Sequence, residues 1–337
     1  MLKWSRHAAI AAVILAATLA PRAASAADIN IVMAIPAPTM TFSAHYIAED
    51  AGFYAKEGLK VETRNLVGVA STNAVIAGSA DFTVGTGATF LRAVASGSKL
   101  LAIGTMVNKP MVELVLRKDV ADAAGITEKT PLDQRIKALK GKTIAIQGVG
   151  SVIHAMQRLV AARAGLDPDN DMRIAPMNPP AMLPALKAKQ IDGFATSLPF
   201  TTNAVVSGDA IMLVSGPRGD MPEYLPMDYV VLYTRPEVCQ KERAKCEKMA
   251  RASKNATDFI VKKPNEALAL LKKRFSQLDP KVLEAAWAVV SKAHSPDSKV
   301  TLKGLDNSQK FSVNAQLLEP KDVLKDFKGV YTDEFMK

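Results

Sequence analysis

Residues 143–165 read TIAIQGVGSVIHAMQRLVAARAG, in which an apolar run, a glycine loop and a helical stretch follow one another directly. The run 143–147 predicts a buried strand, and the loop 148–151 predicts a turn. The helix is expected to continue to about Ala164 and to end at Gly165, because glycine commonly terminates helices. A strand, turn and helix in this order are typical of α/β domains, in which helices cover a parallel sheet.

The same order of elements occurs earlier in the chain, in residues 81–97, DFTVGTGATFLRAVASG. There, 81–84 predict a strand, 85–87 a turn and 89–95 a helix. The surrounding patterns predict strands over 29–34, 59–62, 100–106, 172–175 and 191–195, and helices over 42–53, 71–77 and 179–189. Ser71 or Thr72 is expected to cap the helix over 71–77. Two similarly built α/β lobes with parallel sheets are therefore expected.

Two extended stretches, 111–116 and 228–233, flank the second unit and are predicted to cross between the lobes. With 337 residues, the chain has the length of two domains. Lobe 1 is then expected to comprise 27–113 and, with C-terminal helices, 230–337. Lobe 2 is expected to be the insert 114–229.

The N-terminus has the pattern of a secretory signal peptide over residues 1–26. Lys3 and Arg6 precede an apolar run over 8–20, and Ala24-Ser25-Ala26 offers small residues for cleavage near Ala26. That run is shorter than the roughly 20 residues a membrane-spanning helix needs. With no cysteine at the cleavage point, the mature protein is expected to be free in the periplasm.

The charge pattern gives little support for nucleic-acid binding. Removal of 1–26 takes away three basic residues and no acid, so the formal charge falls from +10 to +7. The remaining Lys and Arg are scattered, and aromatic residues make up only 6% of the chain. A nucleic-acid interface would need a contiguous basic face with stacking aromatics.

The two cysteines, Cys239 and Cys246, are expected to form a structural disulfide in an oxidising compartment. Seven residues of continuous helix rise about 10 Å, whereas a disulfide needs Cα atoms within about 7 Å. The pairing therefore predicts a break in the helix near 241–244.

Catalytic and nucleotide motifs are incomplete. Phe90 and Ile153 stand where a dinucleotide fingerprint has its third glycine. Ser151 lacks the Gly-x-Ser-x-Gly context of a hydrolase nucleophile, and the four histidines show no metal-ligand spacing. What the two glycine turns can offer is backbone N–H groups for an anion at a helix start, beside Thr89 and Ser151. Tight packing of helix on strand is the alternative interpretation of both turns.

Several segments together resemble the nitrate/sulfonate/taurine-type substrate-binding proteins of ABC importers, which are similar to thiamine-pyrimidine-precursor-binding proteins. They are FSAHYIAEDAGFYAKEGLKVE (42–62), NAVIAGSADF (73–82), LKGK (139–142) with Gly150-Ser151, and ALKAKQIDGF (185–194). They occur in the expected order, and the resemblance extends over about 28–275. It implies a type II periplasmic-binding fold, with two α/β lobes joined by two crossing strands and a ligand between them.

The resemblance also implies a function and a set of ligand contacts. The protein would capture a small anionic or heteroaromatic solute, as a monomer without cofactor or metal, and deliver it to ABC permease subunits in the inner membrane. The implied ligand-binding residues are Phe42, Ser43, Tyr46, Ser71, Thr72, Thr86, Gly87, Gly150, Ser151, Thr196 and Phe200. Many relatives carry an acid or a tryptophan around 196–200, so Thr196 and Phe200 leave the ligand open.

Two rival functions belong to other classes. A pyrimidine synthase of thiamine biosynthesis, which binds pyridoxal phosphate through a lysine, has a similar fold but works in the cytosol, against which the signal peptide argues. A sensory domain would normally be fused to membrane or kinase segments. Binding without catalysis is therefore the favoured interpretation.

Overall fold

The computed structural model describes residues 28–337, so the predicted signal peptide lies outside the described residues. Within that part of the chain the ten strands form two separate five-stranded sheets, each covered by helices. This confirms the expected class of two α/β lobes.

The sheet of lobe 1 has the strand order β2-β1-β3-β10-β4. Its strands are β1 Ile29–Ile35, β2 Leu59–Asn65, β3 Phe82–Thr86, β4 Leu101–Val107 and β10 Val230–Thr234. Strand β1 is parallel to β2 and β3, whereas β10 is antiparallel to both β3 and β4.

The sheet of lobe 2 has the equivalent order β7-β6-β8-β5-β9. Its strands are β5 Glu113–Arg117, β6 Thr143–Ile146, β7 Arg173–Pro176, β8 Gly193–Thr196 and β9 Ala210–Ser215. Strand β5 is antiparallel to β8 and β9. Strand β9 was not predicted, because its six buried residues AIMLVS lack the alternation that marks a half-buried strand.

The prediction of parallel sheets is wrong for one strand in each lobe. After crossing between the sheets through 108–112 and 216–229, the chain enters each new sheet as an antiparallel strand, β5 or β10. The predicted crossings at 111–116 and 228–233 therefore cover the end of each connection and most of the strand that follows. The boundaries at 113/114 and 229/230 remain a prediction.

Fourteen helices cover the sheets in the described part of the chain. They are α1 Ser43–Asp50, α2 Phe53–Lys56, α3 Ala70–Ile76, α4 Gly87–Ala95, α5 Lys118–Ala123, α6 Leu132–Arg135, α7 Val152–Arg163, α8 Pro179–Lys187, α9 Phe200–Val206, α10 Pro236–Lys241, α11 Arg243–Lys262, α12 Pro264–Arg274, α13 Pro280–Val290 and α14 Leu302–Asn314. The C-terminal helices thicken lobe 1, since α11 packs against α1 and α2, and α14 packs against α4. Among residues 28–337, no helix combines the length and hydropathy that crossing a bilayer requires.

The predicted turn at 85–87 is wrong, because Gly85 and Thr86 belong to β3 and α4 begins directly at Gly87. Hydroxyl groups cap both α4 and α7. Ser151 Oγ accepts the His154 N–H (3.3 Å) at the start of α7, and Thr86 Oγ1 accepts the Thr89 N–H (3.4 Å) at the start of α4. The predicted cap of α3 by Ser71 or Thr72 is wrong. This helix begins earlier, at Ala70, so both hydroxyls lie inside it and bond elsewhere.

Cys239 and Cys246 are joined by a disulfide, with their Cα atoms 5.5 Å apart. The predicted break lies at Glu242, which has φ −130° and ψ 55° and separates α10 from α11. The bridge thus joins α10 to the start of α11.

Candidate functional site

A small cavity with a volume of about 30 Å³ lies between the two lobes. We refer to it as the cleft cavity. It is lined by Pro36, Ala37, Thr39, Thr41, Phe42, Gly68, Ser71, Thr72, Thr86 and Thr89 of lobe 1, by Gln147, Ser151, Val152, Ile153 and Ser197 of lobe 2, and by Tyr229 of the second crossing.

The strand topology explains this location. The loop 36–42 follows β1, Thr86 ends β3, Gln147 follows β6, and Ser197 follows β8. These are the central parallel strands of the two sheets, and their carboxyl ends meet across the cleft. Ligands of open α/β sheets bind at this edge, where successive loops diverge.

Five of the residues implied by the resemblance line the cleft cavity: Phe42, Ser71, Thr72, Thr86 and Ser151. They come from both lobes and are brought together only by the fold. Their role as ligand contacts remains a prediction.

Ser43 and Tyr46 lie outside the lining, buried behind it. The Ser43 Oγ pairs with Nε2 of His294 at 3.0 Å. The Tyr46 hydroxyl donates to the Ala37 carbonyl (3.3 Å), while its ring packs edge-on against Phe275 with centroids 5.9 Å apart. Tyr46 therefore supports the cavity wall at Ala37.

The other four residues implied by the resemblance also lie outside the lining. A side chain at Gly87 would clash with the Asp228 carbonyl, since a Cβ there would lie 2.0 Å from that oxygen. Thr196 Oγ1 accepts a bond from Gln147 Nε2 (3.1 Å) and so orients a residue of the lining. Gly150 precedes Ser151 with φ +78°, and Phe200 is buried at the start of α9.

Sequence reasoning missed further lining residues. Thr39 and Thr41 belong to the loop after β1, from which only Phe42, Ser43 and Tyr46 were expected. Gln147 immediately follows β6, so the strand-end rule could have identified it. Tyr229 belongs to the second crossing, and no local pattern marks it as a cavity residue.

Uncharged hydrogen-bonding groups dominate the polar part of the lining. Among the residues that line the cleft cavity, none is Asp, Glu, Lys, Arg or His. The backbone N–H groups of Val152 and Ile153, in the first turn of α7, have no hydrogen-bond acceptor among the described residues. Two donors at the positive end of a helix dipole therefore border the cavity.

Two buried threonine hydroxyls of the lining also lack a partner among the described residues. Thr39 and Thr41 are 1% and 2% exposed, and neither Oγ1 has a hydrogen bond. A buried unpaired hydroxyl costs about 1–3 kcal/mol. A ligand that bonds to these groups would recover this cost.

The loop before α7 is held by His154. The Gly150 N–H donates to His154 Nδ1 at 3.1 Å, so this nitrogen must carry no proton. Burial, helped by the nearby positive charge of Arg158, lowers the pKa of His154 and favours that state. The loop conformation and the neutral histidine therefore support each other.

The lobes contact each other directly beside the cavity. The Met40 N–H of lobe 1 donates to the Leu198 carbonyl of lobe 2 at 2.9 Å. A Cβ built on Gly68 would lie 3.8 Å from the Cβ of Ser151. The described structure is thus a closed arrangement.

No group of three or more His, Cys, Asp or Glu side chains suited to a metal occurs within 28–337.

The family model described as NMT1/THI5 like matches residues 39–267. Among solved structures, a protein of Bordetella bronchiseptica RB50 is similar with 23% identity and a TM-score of 0.79, covering 91% of this chain and 95% of the other. The alkanesulfonate-binding protein of Xanthomonas axonopodis pv. citri, bound to MOPS, has 20% identity, a TM-score of 0.71 and coverages of 91% and 99%. The periplasmic nitrate-binding protein of Synechocystis PCC 6803 has 14% identity, a TM-score of 0.66 and coverages of 91% and 87%. No curated protein sequence matches the chain. At these identities the likeness shows the periplasmic-binding-protein fold.

Proposed function

The chain belongs to the NMT1/THI5-like family, and on that premise we propose that it is the substrate-binding component of an ABC-type importer. It captures a small organic solute between its lobes and delivers it to permease subunits in the inner membrane. The observation that carries this proposal is the closed cleft cavity, which both lobes line with unpaired hydrogen-bonding groups. Structural neighbours named for binding alkanesulfonate and nitrate support it.

Binding and lobe closure are coupled in this mechanism. A solute that bonds to Thr39 and Thr41 on one side and to the start of α7 on the other contacts both lobes only when they are closed. Its binding free energy therefore shifts the population from open to closed. The permease would recognise the closed form.

The lining favours a solute with an apolar body and one anionic or strongly accepting head. The free N–H groups of Val152 and Ile153 suit a carboxylate, sulfonate or other oxyanion. Pro36, Ala37 and Phe42 offer an apolar wall for the rest of the molecule. A cationic solute would find no carboxylate among the lining residues.

The N-terminal segment supports a periplasmic location, and we place the protein there after cleavage near Ala26. We further propose that it acts as a monomer without a cofactor. Lobe 1 would comprise 27–113 and 230–337, and lobe 2 114–229.

A pyridoxal-phosphate enzyme would need a lysine in the cleft, and none is present among the residues that line the cavity.

A thermal-shift screen tests the proposal. The purified mature protein is heated with alkyl sulfonates, aromatic carboxylates, nitrate and pyrimidines, each anion paired with a neutral isostere. A true ligand at a hundred times its Kd contributes about 2.7 kcal/mol, which raises Tm by about 4 °C. Small-angle scattering should then show a smaller radius of gyration. If no solute changes either quantity, the importer function is wrong.

A further inference from the structure

Arg92 makes a hydrogen bond across the cleft. This residue belongs to α4 in lobe 1, and its Nε donates to the Leu317 carbonyl (2.9 Å), just beyond α14. One terminal nitrogen, Nη1, donates to the carbonyl of Gly150 in lobe 2. The side chain is thus anchored at one end within lobe 1 and holds a loop of lobe 2 with the other.

The acceptor is close to the groups that face the cavity. Gly150 directly precedes Ser151, the residue that caps α7, and α7 begins with the two free N–H groups of Val152 and Ile153. Because Gly150 adopts φ +78°, its peptide orientation depends on the contacts that hold it. Arg92 holds its carbonyl, and His154 holds its N–H.

Arg92 has no countercharge in the described structure. Its side chain is half-buried, and none of the ion pairs among residues 28–337 includes it. Burial lowers the pKa of its guanidinium, which reflects lost hydration without a neighbouring carboxylate. A hydrogen bond from a charged donor offsets part of such a cost. Opening the cleft would break the bond to Gly150.

We propose that Arg92 is a positioning residue that latches the lobes together and orients the start of α7 toward the solute. The inference builds on the proposed closing mechanism. Arg92 acts through Gly150 rather than by touching the solute, since its side chain is not part of the cavity lining. Removing it should shift the closed-to-open ratio even without a solute.

Spin labels on the two edge strands can measure that ratio. Asn65 ends β2 and Asn178 lies two residues beyond β7; both are exposed and lie at the cleft side of their sheets. Labels at Asn65→Cys and Asn178→Cys give an interlobe distance distribution with open and closed components. We expect Arg92→Met to lower the closed-to-open ratio about tenfold in solute-free protein, as loss of a charged hydrogen bond implies. Arg92→Lys, which keeps one donor and the charge, should lower it less.

Arg235→Met is the matched control. This arginine also donates to backbone carbonyls, those of Val75 and Ala80, but all its partners lie in lobe 1. Its loss should reduce folding stability and leave the closed-to-open ratio unchanged. If Arg92→Met leaves the ratio at the wild-type value while a solute from the screen still closes the protein, the latch is overturned and the importer function stands. If neither variant nor wild type closes with any solute, both proposals fail.

Discussion

The two lobes share one strand order but contribute different groups to the cleft cavity. Lobe 1 contributes mainly hydroxyl side chains from three separate segments, whereas lobe 2 contributes mainly the N-terminus of α7, with Gln147 and Ser197 beside it. Hydroxyl groups rotate and either donate or accept, while backbone N–H groups only donate. Lobe 2 should therefore select for an acceptor or anion, and lobe 1 should adapt to the rest of the solute. A shared topology thus does not dictate shared binding chemistry.

The largest expected effect comes from a negative charge at the start of α7. Ser151→Asp keeps a good helix cap but places a carboxylate beside the proposed anion site. For the anion that gives the greatest thermal shift, calorimetry should show affinity at least a hundredfold weaker, about 3 kcal/mol. Ser151→Asn caps equally well without charge and should bind nearly as wild type. If the two variants bind the anion with equal affinity, the anion does not bind at the start of α7.

Removal of the disulfide should destabilise lobe 1 without weakening binding. Cys239→Ser with Cys246→Ser frees a loop whose closure is worth about 2 to 3 kcal/mol, and neither residue lines the cleft cavity. Urea unfolding should show the loss, and wild-type protein in reductant should match the double variant. If the fully folded double variant also binds the solute more weakly than wild type, the disulfide is not independent of the cleft cavity.

The stability of the two lobes should depend on pH in opposite directions, through one buried titratable group in each lobe. Burial lowers the pKa of His45 in lobe 1 to about 4, despite the nearby Glu49. As pH falls below about 6.5, His45 becomes protonated in the unfolded chain but stays neutral in the folded protein. The free energy of unfolding therefore falls by about 2 kcal/mol at pH 5. In lobe 2, burial raises the pKa of Glu113, whose contribution is present below pH 4.5 and lost as pH rises.

Two variants separate these contributions. In urea titrations at pH 5 and pH 7, His45→Gln should flatten the rise in unfolding free energy between the two values. Glu113→Gln should steepen it, because it removes the term that falls with pH. Glutamine keeps hydrogen-bonding capacity for Tyr54 and Thr63 in the first case and for Ser215 in the second. Identical slopes in all three proteins would show that neither buried group governs the pH dependence.

The smallest effect is expected for the unpaired hydroxyls of lobe 1. Thr39→Val and Thr41→Val should each weaken solute binding about fivefold, about 1 kcal/mol, while stability stays equal or rises. Thr83 is an equally buried and unpaired threonine that does not line the cavity. Thr83→Val should therefore change the folding stability as the other two variants do and leave the solute affinity unchanged. If calorimetry finds the same affinity for all three variants, the solute does not bond to these hydroxyls.

Much of the fold could be predicted from short-range patterns. The strand and helix of each lobe, the glycine turn before α7 and the helix break between the cysteines all appear in the structure. Each of these features depends on the backbone preferences of residues that are close together in the sequence. The same local reasoning missed β9, whose uniformly buried residues carry no alternation, and the antiparallel entry of β5 and β10.

By itself, the sequence determined the order of elements, the two-lobed class and the turns from which cavity residues come. Only the tertiary structure decided which side chains line the cavity, leaving Tyr46 behind its wall and adding Thr39, Thr41 and Tyr229. It also decided the bond from Arg92 to Gly150, which are 58 positions apart. The physical reason is that caps and turns depend on local backbone energies, whereas contacts across a cleft depend on how two independently built sheets are brought together by the crossings.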